Sequence, residues 1–224
     1  MTREIVFDTE TTGMSPEDGH KIVEIGMLEL EGRVPTGRTF HHYINPERDI
    51  EESAIRVHGI TNDRVRESPV FADIAEDMMA FIGDAPLVAH NATFDMNFVN
   101  FELKLLERPT LTNEVIDTLE MAREIYPGAR NSLDALCKRY EVDLTDRTLH
   151  GALLDARLLA EVYLHLTGGP QPDLGLGGDE YDQSKYRKAQ PRPVRDFAPS
   201  ADELSRHEAF VKAMPSTLWK VSAD

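Results

Sequence analysis

The stretch Ile5-Val6-Phe7-Asp8-Thr9-Glu10-Thr11-Thr12-Gly13 decides the fold. Three apolar residues run into Asp8, then Glu10, then a Thr-Thr-Gly turn. A run of β-branched and aromatic residues closed by Thr and Gly reads as a short buried strand. Side chains two apart on a strand share a side, so Asp8 and Glu10 project together. Neighbouring carboxylates repel and are costly unless a cation sits between them. The plain alternative is a solvated strand end on which acids happen to alternate, and the rest of the chain has to decide.

Working outward, Ile22–Leu30 and Thr39–Ile44 read as two further strands joined across a Gly-Arg-Val-Pro-Thr-Gly turn, with Asn45-Pro46 ending strand structure. Ser68-Pro69 is expected to open a helix as N-cap and first residue. Its apolar stripe is Phe71, Ile74, Met78, Phe81 and Ile82, and Gly83 closes it. Leu87-Val88-Ala89 is a short strand leading to His90-Asn91, and 94–106 a second helix. Val115-Ile116 is a strand with Asp117 at its exit, followed by helical segments near 119–126 and 132–140. Gly151–Leu166 is a strong helix, with Leu154, Leu158, Val162 and Leu166 at spacing four, stopped at Gly168-Gly169-Pro170. Three successive strands, then alternating helices and strands, define an α/β layered domain with a mixed sheet.

Further acids fall in matching settings. Asp95 follows Asn91-Ala92-Thr93-Phe94 at the start of a helix; His150 immediately precedes the last domain helix, and Asp155 lies one turn inside it. Asp155 sits among Leu153, Leu154, Leu158 and Leu159, where an unpaired carboxylate is expensive. Carboxylates from separate elements converging on hard cations suit Mg2+ or Mn2+. One cysteine and no His-x-x-x-His spacing argue against a zinc cage. His150 alone would read as a capping or surface histidine; beside four acids it becomes a candidate general base.

The three motifs Phe7-Asp8-Thr9-Glu10-Thr11-Thr12-Gly13, His90-Asn91-Ala92-Thr93-Phe94-Asp95 and His150-Gly151-Ala152-Leu153-Leu154-Asp155-Ala156 resemble, in order, spacing and setting, the exonuclease motifs of the DEDDh 3′→5′ exonucleases. The resemblance covers residues 1–168 and implies an RNase H-like fold, a mixed sheet flanked by helices. It also implies that Asp8, Glu10, Asp95 and Asp155 hold two divalent ions, Mg2+ or Mn2+, and that His150 deprotonates the attacking water. Thr9, Val57, His58 and Phe94 match positions that in the family lie near the terminal nucleotide, together with Asp8, Glu10 and Asp155. Locally, Val57-His58-Gly59-Ile60-Thr61 reads as a turn suited to stacking on a frayed base; core filling by Val57 and capping by His58 is the plainer reading. More narrowly, Thr148–Ala156, the run Glu161-Val162-Tyr163-Leu164 continuing to Thr167-Gly168-Gly169, and the tail resemble the proofreading subunits of bacterial replicative polymerases.

Composition sets the wider frame. At 224 residues and 41% hydrophobic, the chain has enough for one generous domain and a tail. It enters its first strand without a basic-then-apolar leader, and Cys137, its only cysteine, lies in a helical-looking run where a small buried hydrophobe is the expected role. Cytoplasmic residence follows as an expectation. A net charge of −16, with 40 acids against 24 Lys and Arg, argues against tight free-standing nucleic-acid binding. No basic patch interleaved with aromatics stands out, so the terminal nucleotide would be recognised by fraying and shape.

From Gly168 the texture shifts to Pro, Gly, Asp and Gln through about residue 199, as in a flexible linker. Residues 169–200 contain Gln171-Pro172-Asp173-Leu174-Gly175-Leu176, which resembles short peptides that dock on the bacterial sliding clamp through Gln171, Leu174 and Leu176. Residues 201–224 hold an amphipathic piece with Leu204, Phe210, Val211, Met214, Leu218 and Trp219, read as a polymerase-binding segment rather than a helix docked on its own domain. Tethering of this kind raises effective concentration and offsets weak intrinsic DNA affinity. Whether a small third subunit binds stays open. The motifs alone leave two other functions standing: an RNA 3′-end trimmer, and a non-catalytic adaptor bridging clamp and polymerase.

Overall fold

The computed structural model describes residues 2–144, 149–169 and 199–214. By contacts the chain divides into residues 1–174 and 175–224. The first unit is built on five strands, β1 (Arg3–Thr11), β2 (Ile22–Glu31), β3 (Val34–Tyr43), β4 (Leu87–Ala89) and β5 (Val115–Asp117), in the order β3-β2-β1-β4-β5. β1–β2 and β2–β3 are antiparallel; β1–β4 and β4–β5 are parallel. The mixed sheet expected from the order of elements is present.

Helices α1 (Glu52–His58), α2 (Asn62–Val65), α3 (Phe71–Ile82), α4 (Ala92–Leu105), α5 (Thr118–Ile125), α6 (Leu133–Tyr140) and α7 (Ala152–Leu166) complete the unit. Because strand side chains alternate, β1 feeds two cores. Ile5 and Phe7 join Ile25, Met27, Phe71, Ile74, Met78, Phe98 and Leu103, the inner faces of α3 and α4. Val6 points the other way, to Leu28, Val88, Ala156, Leu159 and Tyr163 under α7. Helices on both sides explain why β2 is buried nearly throughout rather than on alternate residues. A smaller cluster ties α5 and α6 to α7 through Ala122, Leu136, Cys137, Leu158 and Val162. Cys137 is buried, and burial pushes its thiol up to about 11.

Three boundaries differ from the sequence expectation. The β2–β3 connection is only Gly32-Arg33, both at positive φ (57° and 68°), so Val34–Gly37 belong to β3. Two left-handed residues form the hairpin turn whose twist matches the flanking strands, and Pro35 is tolerated because β3 is an edge. Helix α3 starts at Phe71, two residues beyond Pro69. The Pro69 carbonyl is taken by the Asn45 N–H (2.9 Å), and Asp73 accepts from the Val70 N–H (3.2 Å), making Val70 the cap. Helix α4 begins at Ala92 rather than Phe94, for a reason given with the site.

In the second unit, α8 (Ala201–Ala213) is capped by Ser200, whose Oγ accepts from the Glu203 N–H (3.3 Å) while Glu203 accepts from the Ser200 N–H (2.9 Å). None of its residues is buried, and Leu204, Phe210 and Met214 are exposed. Gln171, Leu174, Leu176, Leu218 and Trp219 lie outside the described residues. Among the described residues no helix is long and apolar enough to cross a membrane.

Candidate active site

Three elements deliver the acids. Asp8 and Glu10 lie on β1 in phase with Val6, toward α7, as the period of two requires. Asp155 projects from the first turn of α7 and is 3% exposed. Asp95, on the first turn of α4, is equally buried and reaches β1 from the opposite side. There Thr9 holds it: the Thr9 N–H and Oγ1 both donate to Asp95 Oδ1, at 3.0 and 2.6 Å.

The electrostatics follow from this convergence. Burial first, then the charges of Asp95, Glu10, Asp155 and Glu24, hold the Asp8 carboxyl well above the usual carboxylate range. Burial likewise pushes Asp95 up to about 7, with the Thr9 hydrogen bonds pulling the other way. Ligand atoms of Glu10, His150 and Asp155 all lie within 4.8 Å of one another. His150 Nδ1 is 3.1 Å from Asp155 Oδ2, and the His150 backbone N–H donates to the Val57 carbonyl at 3.3 Å. Carboxylate oxygens crowded where each disfavours its neighbours' charge are a donor set that fits hard divalent cations.

The backbone makes this packing possible. Asp8 pairs with Gly26 of β2, and a Cβ at Gly26 would fall 2.2 Å from the Leu153 nitrogen. Helix α7 therefore sits directly on the β2 backbone beside Asp8, and only glycine leaves room. Its N-terminus, with Gly151 as cap, receives a side chain from the sheet: the Ala152 N–H donates to Glu24 Oε2 at 3.0 Å. Glu24 Oε1 lies 2.7 Å from His41 Nε2. Helix α4 is seated similarly. Asp117 Oδ1 accepts from Asn91 N–H (3.1 Å) and Leu119 N–H (2.9 Å), and Oδ2 from Ala92 N–H (3.0 Å). That clasp starts α4 two residues early, after a left-handed Asn91.

The remaining sequence candidates scatter around this centre. Val57 and His58 end helix α1 rather than forming a free turn, and Gly59 supplies the left-handed stop. Val57 is half exposed, so it does not fill the core. His58 is buried, accepts from the Ile60 N–H at Nδ1 (3.0 Å) and donates from Nε2 to the Thr11 carbonyl (3.3 Å). Phe94 packs against Phe98 at 5.0 Å between ring centroids. A groove of about 790 Å³ opens from Asp8, His150 and Asp155 past His90 and Asn91 to Arg123. Sequence reasoning missed Glu24, His41 and Gly26, and saw Asp117 only as a strand exit. The available signal was Glu24, one of two acids (with Glu29) interrupting the otherwise apolar run Ile22–Leu30.

A family description, Exonuclease, matches residues 5–163, which include all five candidate catalytic residues, and the chain belongs to that family. The family uses divalent metal ions. Over nearly its whole length the chain is similar to DNA polymerase III subunit epsilon of Rickettsia felis, 46% identical over 96% of this chain and 98% of that one. It is 44% identical to the Escherichia coli subunit of the same name, over 98% of each. Among solved structures, exonuclease X in complex with 5′ overhanging duplex DNA is 28% identical with a TM-score of 0.60, covering 75% of this chain and 91% of that one.

Proposed function

We propose that this chain removes mispaired 3′-terminal nucleotides from DNA as nucleoside 5′-monophosphates, proofreading for a bacterial replicative polymerase. The observation that carries it is the convergence of Glu10, His150 and Asp155, whose ligand atoms lie within 4.8 Å of one another, beside a buried Asp8 that feels the charges of Asp95, Glu10 and Asp155. The full-length likeness to epsilon subunits supports the replicative setting.

Asp8, Glu10, Asp95 and Asp155 would hold two divalent cations, Mg2+ or Mn2+, which when bound supply charge stabilisation for the attacking and leaving oxygens of an in-line displacement. His150 takes the proton of the attacking water, and Asp155, at 3.1 Å, faces the positive charge the ring then carries. Water's oxygen bonds to phosphorus as the bond to the 3′ oxygen breaks, and that oxygen takes a proton from solvent, leaving a 3′-hydroxyl on the shortened strand. Thr9 fixes Asp95 for this task. Val57, His58 and Phe94 are assigned to the terminal nucleotide, Val57 with its half-exposed side chain as the wedge.

The remaining assignments concern partners. Residues 1–168 act as the nuclease and 169–200 as a linker whose Gln171, Leu174 and Leu176 dock on the beta sliding clamp. Residues 201–224 bind the DNA polymerase III alpha subunit through Leu204, Phe210, Val211, Leu218 and Trp219, with a theta-like subunit as a third candidate partner. The exposed Leu204 and Phe210 on α8 support the second tether.

The test is degradation of a 3′-labelled DNA primer bearing a terminal mismatch, with and without Mg2+, beside an RNA of the same sequence, with Asp8→Ala as control. Metal-dependent loss of the DNA terminus, absent in the control and slower on RNA, is expected. Faster loss from RNA would move the chain to RNA trimming; no hydrolysis would leave the adaptor.

A further inference from the structure

Glu24 is 3% exposed and lies near the start of β2 directly opposite Glu10, on the face turned to α7. A buried carboxylate persists only where hydrogen bonds offset its lost hydration. Both of its oxygens are engaged: Oε2 with the Ala152 N–H at 3.0 Å, Oε1 with His41 Nε2 at 2.7 Å. The first N–H groups of a helix have no partner within it, and Gly151 at the cap has no side chain to offer. A carboxylate 128 residues away in sequence fills that role, at the helix end where negative charge is favoured.

We propose that Glu24, backed by His41, is a positioning residue for the active site: it fixes the first turn of α7 and, through it, His150 and Asp155. The proposal rests on the reading of this site as a metal-dependent nuclease. The coupling is short. The Asp155 N–H closes that first turn on the Gly151 carbonyl at 2.8 Å, and His150 immediately precedes Gly151. Helix α7 has no slack to absorb a lost anchor, because its backbone already rests on Gly26. Release of Ala152 therefore moves Asp155 relative to Asp8 and Glu10 rather than merely loosening a surface turn.

Three variants of the full chain test this: E24A, E24Q and E24D. The readouts are kcat and KM on a 3′-labelled single strand, and Mn2+ affinity followed by the electron paramagnetic resonance of the free ion. A residue that orients metal ligands from behind is expected to cost about 10–100-fold in activity or metal affinity when removed. E24A should then lose turnover on that scale with KM nearly unchanged, and bind Mn2+ about tenfold more weakly. E24Q keeps both contacts, its oxygen accepting from Ala152 and its amide donating to His41, and should restore most of both. E24D keeps the charge but falls a methylene short, and should resemble E24A.

The reverse order, with E24D active and E24Q not, would mean Glu24 acts by its charge and would overturn the proposal. A lowered melting temperature with kcat and Mn2+ affinity unchanged would reduce it to a fold contact. Should E24A fail to fold, E24Q against E24D still decides. If the unsubstituted chain hydrolyses nothing, the nuclease reading fails, while the Mn2+ affinities still judge the positioning role.

Discussion

Thr9 grips Asp95 with two donors on one oxygen, its backbone N–H at 3.0 Å and its hydroxyl at 2.6 Å. The same strand thus presents Asp8 and Glu10 toward α7 and, from the residue between them, fastens the acid arriving on α4. Strand alternation does two jobs within three residues. It aims two carboxylates at one side of the sheet and reserves the other side for a buried hydrogen-bond anchor.

Removing that anchor's hydroxyl should show in turnover before it shows in folding. Thr9→Val keeps the shape and the backbone donor but loses the 2.6 Å bond. Hydrogen-bond partners behind metal ligands are worth about 10–100-fold in affinity or activity. Thr9→Val is expected to lower kcat within that range on a 3′-labelled strand, with Thr9→Ser close to the parent. Equal rates for all three proteins would mean that Asp95 needs no such grip.

Gly26 makes a sharper stability prediction. In Gly26→Ala the added methyl would lie 2.2 Å from the Leu153 nitrogen and 2.4 Å from the Ala152 carbonyl carbon, and both are backbone. Neither can swing aside as a side-chain tip can, so α7 must lift from β2. Overpacking of this kind costs about 1–3 kcal/mol. Urea denaturation should give an unfolding free energy lower by that amount, read from an earlier midpoint, accompanied by weaker Mn2+ binding because Asp155 travels with α7.

Much of this was legible in the sequence because it is local. The run into Asp8 and Glu10, the helix start at Asp95 and the turn holding His150 and Asp155 each declare themselves within a few residues, and resemblance supplied their joint role. What the sequence left hidden are long-range contacts. Glu24 meets Ala152 across 128 residues and Thr9 meets Asp95 across 86. Asp117 seats α4 from 25 and 26 positions away. Ser68-Pro69 failed as a helix start for the same reason, since the Pro69 carbonyl is engaged by Asn45 from the end of β3. Gly26 resembles any strand glycine until the helix that rests on it is in view.

Cys137 offers a check on the packing between α6 and α7. It is fully buried beside Leu136, Leu158 and Val162, and burial pushes its thiol up to about 11. The thiolate is the reactive form, so in the native protein at pH 8 its modification by a thiol reagent should be slow. In urea above the unfolding midpoint it should become rapid, and rapid native labelling would contradict this core.

The acids themselves should weaken the fold when no metal is present, with a definite pH dependence. Burial pushes Asp95 up to about 7 in the native state, while an unfolded aspartate titrates near about 3.9. Between those values the native protein binds more protons than the unfolded chain, so this group's contribution to stability falls as pH rises. It is fully present below the unfolded value and is lost through about pH 7. Asp8, shifted the same way by burial and its acidic neighbours, adds to the effect. Asp95→Asn removes the titration while its side-chain oxygen remains able to accept from Thr9. In EDTA the variant should therefore melt above the parent at pH 8, with the gap closing toward pH 4. Added Mg2+ should reverse the order at pH 8, because an ion held by the native carboxylates stabilises by mass action and the variant has lost one of them. A gap that stays constant with pH in EDTA would show that Asp95 is not held in this raised state, and no response to Mg2+ would remove the metal from the site.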